Sequence, residues 1–329
     1  MRSISKDILF ADFFYFYNMK TTILLTRIFS FLSLLILFFS CKKDKDSNNN
    51  GPTPAPTYYL VFKYHFDSTQ ARLDNLGNVS VIPSNHSAQS PKMNKMSAHY
   101  VELSPTMFTA VGAGKVLYHA PETNAGGSTA IDHGQSVLKG QGEEFLRVPL
   151  TSITPGTYNY LRVSLAYQNY DINYKFTYNS IPYYLSGTVA SFIGYNTYIN
   201  NYLIKTQTVS PSASTGGPGN HLQGYWGFET NAFSIVNVSD GQSPPGATTV
   251  PNPIWNTSPI PAGSCLVTGP FPTPLTITGN ETSDIVIEVS LSTNKSFEWK
   301  DANMDGWFEP AAGDTVVNMG IRGMIPTIQ

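Results

Sequence analysis

Beyond residue 57, no stretch of this chain repeats apolar residues at helical spacing for more than about two turns, and turn-forming residues recur at short intervals. Little remains for such a chain except short extended segments joined by turns. Tyr59 to Phe66, rich in aromatic and β-branched residues, reads as a first strand. Ala98 to Leu103, Gly114 to His119 and Phe145 to Leu150 read as short strands. Pro155-Gly156 starts a turn, and a strand from Tyr158 to Tyr167 follows it. Further strand signals lie at Tyr174 to Tyr178 and Gly187 to Tyr195, and a hairpin is written into Tyr225 to Val238. Asp284 to Ser292 carries the cleanest alternation, and Ser296 to Lys300 and Thr315 to Arg322 close the pattern. The expectation is an all-β fold, a large antiparallel β-sandwich over 58–329 with long Pro- and Gly-rich loops at Gln207 to Asn220 and Ser239 to Ser264. A division into two sub-domains near 207–222 is the alternative.

The N-terminal part follows different rules. Ile28 to Ser40 is an unbroken apolar run, shorter than the roughly 20 residues a spanning helix needs. Lys20 and Arg27 flank it on one side, and Cys41 followed by Lys42-Lys43-Asp44-Lys45-Asp46 on the other. This layout resembles a bacterial lipoprotein signal. The resemblance implies removal of residues 1–40, with 1–18 an extension upstream of a start at Met19, and a lipid on the Cys41 thiol. The charged run after Cys41 resembles the tag of surface-exposed lipoproteins of the Bacteroidota. It implies an outer-membrane protein facing outward, a periplasmic orientation being the alternative. An uncleaved anchor over Thr21 to Ser40 is the competing reading. Residues 41–57 then form a tether whose Asn, Gly and Pro content gives flexibility and extended reach.

With the signal go four basic and two acidic residues, so 16 Lys and Arg face 20 Asp and Glu in the remainder. A negative balance argues against nucleic-acid partners, which require basic patches. Charged residues make up only 13% of the chain against roughly 25% in ordinary globular proteins, so polarity must come from Asn, Ser, Thr and Gly, as suits an extracytoplasmic β-protein. A lipidated Cys41 leaves Cys265 without a disulfide partner, and its apolar neighbours predict a buried, inert thiol.

One motif points to a metal. Asp301-Ala-Asn303-Met-Asp305-Gly306 places oxygen side chains at positions 1, 3 and 5 and Gly at 6, the first half of an EF-hand-type calcium loop. Alternate residues point into one concave turn, and Gly306 permits the bend. Trp307 would offer its backbone carbonyl. Position 12 is Ala312, so Glu309 or Asp314 must close the shell. The segment resembles the DxNxDG calcium loops of many extracellular β-proteins, which implies a calcium ion clipping a hairpin between Trp299 and Thr315. A plain polar turn uses the same residue types.

Tyrosines crowd the middle third of the chain. Tyr198, Tyr202, Tyr225 and Trp226 are the candidate ligand contacts, because aromatic faces beside amides can stack on sugar rings; the bland alternative is that they fill strands. None of the six histidines has metal-ligand spacing, although His119 near Glu122 and the Asp132-His133 pair could converge in space. No nucleophile elbow, phosphate loop or dinucleotide fingerprint is present. The sequence therefore leads to a non-catalytic, lipid-anchored binder of a ligand or envelope protein partner. An accessory glycan-binding lipoprotein of a polysaccharide-uptake system, and an envelope enzyme or metal chaperone, are the alternatives.

Overall fold

The computed structural model describes residues 57–261 and 263–329. The signal, Cys41 and nearly all of the tether lie outside the described residues. Pro56–Gln329 form one compact unit. Its first part holds β1 (Tyr59–Asp67), β2 (His86–Gln89), β3 (Lys92–Ser104), β4 (Lys115–His119), β5 (Glu122–Thr123), β6 (Ala130–Asp132) and β7 (Glu144–Pro149). A long hairpin, β8 (Gly156–Tyr178) and β9 (Ile181–Phe192), runs through the middle, followed by the short β10 (Asn196–Ile199), β11 (Tyr202–Leu203), β12 (Thr208–Val209) and β13 (Gly219–Leu222). A second hairpin pairs β14 (Tyr225–Ala232) with β15 (Ile235–Gln242). The chain ends in β16 (Leu266–Ile277), β17 (Ile285–Ser292), β18 (Phe297–Lys300), β19 (Thr315–Met319) and β20 (Met324–Ile328). Among the described residues there is no α-helix, and none of the short helical turns is long and apolar enough to cross a membrane.

The fold is all-β and sandwich-like, as the turn spacing predicts. The main sheet has the order β15-β14-β9-β8-β3-β4, with β16 also on β8, and curls into a half-barrel. Facing it is the sheet β20-β17-β1-β7. Leu60, Phe62 and Tyr64 of β1 and Ile287, Val289 and Leu291 of β17 pack there against Leu161, Val163 and Leu165 of β8. Two pairs depart from the expected antiparallel pattern: the short β6 and β10 run parallel, and so do β1 and β17, Leu60 opposite Ile285 through Asp67 opposite Ser292. A parallel pair needs a crossover connection, and for β1 and β17 the whole intervening chain supplies it.

Both long hairpins close through two-residue turns. Asn179 and Ser180 (φ 48° and 63°), and Phe233 and Ser234 (φ 53° and 64°), take the left-handed conformation that right-twisted strands require of such turns. The strands on either side of 207–222 pair across it, β9 with β14, and β13 at its end pairs back to β10. The long segment after β15 is packed, with Ala247, Val250 and Ile260 buried.

Two irregularities of the central strands decide what faces where. The inward residues of β8 are odd-numbered from Leu161 to Leu165 and even-numbered from Tyr170, because the register with β3 shifts by one residue between Leu165 and Tyr167. On β3 a matching shift falls between Ala98 and Tyr100. An extra residue in one strand bends it and re-aims side chains. It leaves two consecutive residues, His99 and Tyr100, between the inward-facing Ala98 and Val101.

Candidate functional sites

The predicted calcium loop joins β18 to β19 and lies along the edge of β8, where the Lys175 amide donates to the Phe308 carbonyl at 2.9 Å. Gly306 takes the expected left-handed bend, φ 82°. The six residues named from the sequence are all in this loop, held largely by one another and by the chain around them. Asp301 Oδ2 accepts from Ser87 Oγ at 2.8 Å and from the Gly306 amide at 2.9 Å. Asn303 Oδ1 accepts from the Asp305 amide, and Asp305 Oδ1 from the Trp307 amide. Asp314 receives the amides of Ala302 and Glu309. Between Asp305 and Glu309 sits the ammonium of Lys175, 2.6 Å from Asp305 Oδ2 and 2.8 Å from Glu309 Oε2. Its hydrogen bond to Asp305 and its charge hold both carboxyls below the usual carboxylate range. Burial alone would raise the Asp301 carboxyl, but hydrogen bonds from Ser87 and the loop amides outweigh it. Asp301 Oδ1 is buried and has no hydrogen-bond partner. The sequence could not name Lys175, which lies 126 or more positions upstream of every loop residue.

Of the four aromatic residues proposed as ligand contacts, the structure buries two. Tyr202 and Tyr225 are 2% and 1% exposed, sit in a cluster with Tyr167 and Phe192, and share a hydrogen bond between their hydroxyls at 3.1 Å. They present no face to a ligand, so the exposed row of four does not form. The cause is the period of two in a strand: Tyr225 and Trp226 are neighbours in β14 and point to opposite faces. Tyr198 is half-buried in β10.

Trp226 borders a cavity. It lines an apolar groove of about 310 Å³ together with Ile172, Val189, Phe228, Phe308 and Met319. Ser239, Gln242 and Asp314 supply polar groups on its lining. Two glycines make the aromatic wall possible. A Cβ on Gly241, the cross-strand partner of Trp226, would lie 2.7 Å from the indole, and one on Gly187 would lie 2.5 Å from the Phe228 ring. Each ring is therefore laid flat on a backbone that carries no side chain. The predicted hairpin placed Trp226 correctly in a strand, but the opposite wall comes from β18, β19 and their loop.

A third cluster lies on the outer face near β4. His99, His119 and Glu122 bring one ligand atom each within 4.8 Å of one another, the only such group of three or more His, Cys, Asp or Glu among the described residues. His99 Nε2 lies 3.0 Å from Glu122 Oε1, and Tyr195 donates to the same oxygen at 2.8 Å. His119 Nδ1 is 3.1 Å from the Ala120 carbonyl. His99 is 6% exposed; burial, helped by His119 and opposed by Glu122, pushes its pKa below the ordinary value. The sequence suggested His119 with Glu122, which do meet. It missed His99, and it suggested Asp132-His133, whose imidazole packs instead between Tyr167 and Phe192. The signal for His99 was the adjacency of two predicted strands, since β3 and β4 pair with Tyr100 opposite His119.

Cys265 is buried, as its apolar neighbours predict, and burial pushes its thiol pKa up. Compared with protein-family models, with curated proteins and with solved structures, the chain matches none of them.

Proposed function

We propose that this chain is a non-catalytic binding protein of the cell envelope, anchored in the outer membrane by lipid on Cys41, whose ligand occupies the groove beside Trp226. The observation that carries the reading is the groove itself. Its size falls at the lower end of the range for small-molecule sites, and such sites combine apolar walls with a few placed polar groups. The groove suits a small, uncharged, largely apolar molecule or the apolar part of a larger one. Asp314 on the lining disfavours an anion. The neutral dye N-phenylnaphthylamine tests this. Its fluorescence should rise on binding at one site per chain, and Trp226→Ala should remove the rise while leaving the thermal unfolding cooperative. No rise with the native chain, or one unchanged by Trp226→Ala, refutes the groove as the site.

Accessory glycan binding is the second reading, and one observation favours it. Tyr184 and Trp307, 57% and 37% exposed, hold their rings 4.5 Å apart beside the Lys175 and Asp305 pair. Exposed rings next to polar side chains offer sugars both stacking and hydrogen bonds. Calcium at the C-terminal loop completes the proposal. The buried, unpartnered Asp301 Oδ1 supports it, and Lys175 competes with it for Asp305 and Glu309.

A further inference from the structure

We propose that His99, His119 and Glu122 form a site for a divalent transition metal of the zinc class, with three protein ligands and one position left for solvent or an incoming ligand. The proposal does not depend on the groove or on the lipid anchor.

The donor set selects the ion. Two imidazole nitrogens and a carboxylate oxygen suit zinc and its neighbours, whereas calcium and magnesium take oxygen. Zinc holds such ligands tetrahedrally at about 2.0–2.2 Å, so ligand atoms around one ion lie about 3.3–3.6 Å apart. The atoms found within 4.8 Å of one another must close in by about 1 Å, and the two residues that move, His119 and Glu122, are on the exposed side, where side chains can turn.

The surroundings orient the ligands. Strand alternation past the inward-facing Ala98 sets His99 on the outer face, and the pairing of Tyr100 with His119 places the second imidazole beside it, ring centroids 4.7 Å apart. His119 Nδ1–H donates a hydrogen bond to the Ala120 carbonyl, the tautomer that leaves Nε2 with a free lone pair. Tyr195 donates to Glu122 and steers the carboxylate. Carbonyl and hydroxyl partners of this kind fix ring tautomer and ligand direction in metal sites. With His99 buried and the other two exposed, the ion would lie at the surface with a coordination position facing outward, the arrangement of sites that exchange a ligand.

The test uses the full chain without a histidine tag, purified in a nonionic detergent, with Zn²⁺ in calorimetry and Co²⁺ in visible absorption. One zinc per chain is expected, together with a cobalt d–d band that zinc displaces. His119→Ala is the main variant, because His119 is exposed and its loss leaves the sandwich packed; a thermal melt checks that. It should weaken zinc by more than the roughly 10–100-fold that follows loss of an outer partner, and Tyr195→Phe by about that outer-partner factor. Glu122→Gln should also weaken zinc, and Cys265→Ser should leave it unchanged. Absence of zinc heat and of the cobalt band in the native chain overturns the proposal. So does zinc binding that His119→Ala and Glu122→Gln leave intact.

Discussion

Acid should unfold this protein earlier than its carboxylates alone require, and His133 is the reason. Its imidazole lies between the rings of Tyr167 and Phe192, centroids 4.9 Å from each, and its Nδ1 is buried without a partner. Burial pushes its pKa down to about 4, against a smaller opposing pull from Asp132. In the unfolded chain the group titrates near 6.5. Between those two values the unfolded state holds the proton and the folded state does not. The folded state therefore has its full stability above about pH 6.5 and loses it as the pH falls towards 4. At 1.36 kcal/mol per pH unit, His133 alone removes about 2 kcal/mol by pH 5 and about 3 kcal/mol by pH 4. His133→Phe keeps a ring in the slot and cannot titrate. Urea unfolding of both proteins at pH 7.5, 5 and 4, followed by tryptophan fluorescence, isolates the effect, since every other titrating group is shared. The difference in stability between variant and native chain should grow in the variant's favour by those amounts as pH falls. Parallel pH dependences for the two proteins would refute the argument.

The sheet β19-β18-β2 rests on a buried charge network. Glu298 accepts from Arg72 and from Asn318, and its other oxygen meets His86 Nδ1 at 2.6 Å; Arg322, fully buried, reaches Asn318 and Asn75. Glu298→Ala strands the Arg72 charge and should cost about 3–5 kcal/mol, whereas Arg72→Met combined with Glu298→Leu should recover most of it. In a thermal melt, at about 2 °C per kcal/mol for a domain of this size, the single variant should melt about 6–10 °C lower. A double variant no more stable than the single one would count against the network. Calcium offers a separate test. Millimolar calcium should raise the melting midpoint of the native chain, raise it further in Lys175→Met, where the competing ammonium is gone, and leave Asp301→Ala with Asp305→Ala unchanged. A midpoint indifferent to calcium in both native chain and Lys175→Met would reduce the loop to a lysine-clamped turn.

The candidate sites show how far local pattern carries. The β14–β15 hairpin was legible because alternation and turn chemistry are properties of neighbouring residues. The same alternation, applied within Tyr225-Trp226, already forbids both rings from sharing a face, and it explains why Tyr225 went to the core and Trp226 to the groove. The Asp301-to-Gly306 turn was legible for the same local reason, while the cation it meets in the fold, Lys175, arrives from another strand. His119 and Glu122 lie three positions apart and could be paired on paper. His99 joins them only because β3 pairs with β4, which sets Tyr100 opposite His119 and brings the two imidazoles together.

The sequence by itself determined the class of fold, most strand positions, the turns and the layout of the N-terminal segment, all of which follow from residues within a few positions of one another. The tertiary structure alone decided the parallel partnership of β1 and β17, the far wall of the groove, the lysine in the acidic loop and the third member of the histidine cluster. Each of these joins residues separated by tens to hundreds of positions, and sheet register sets the contact. A shift of one residue in register exchanges the two faces of a strand, so what meets what is settled only when every strand has packed.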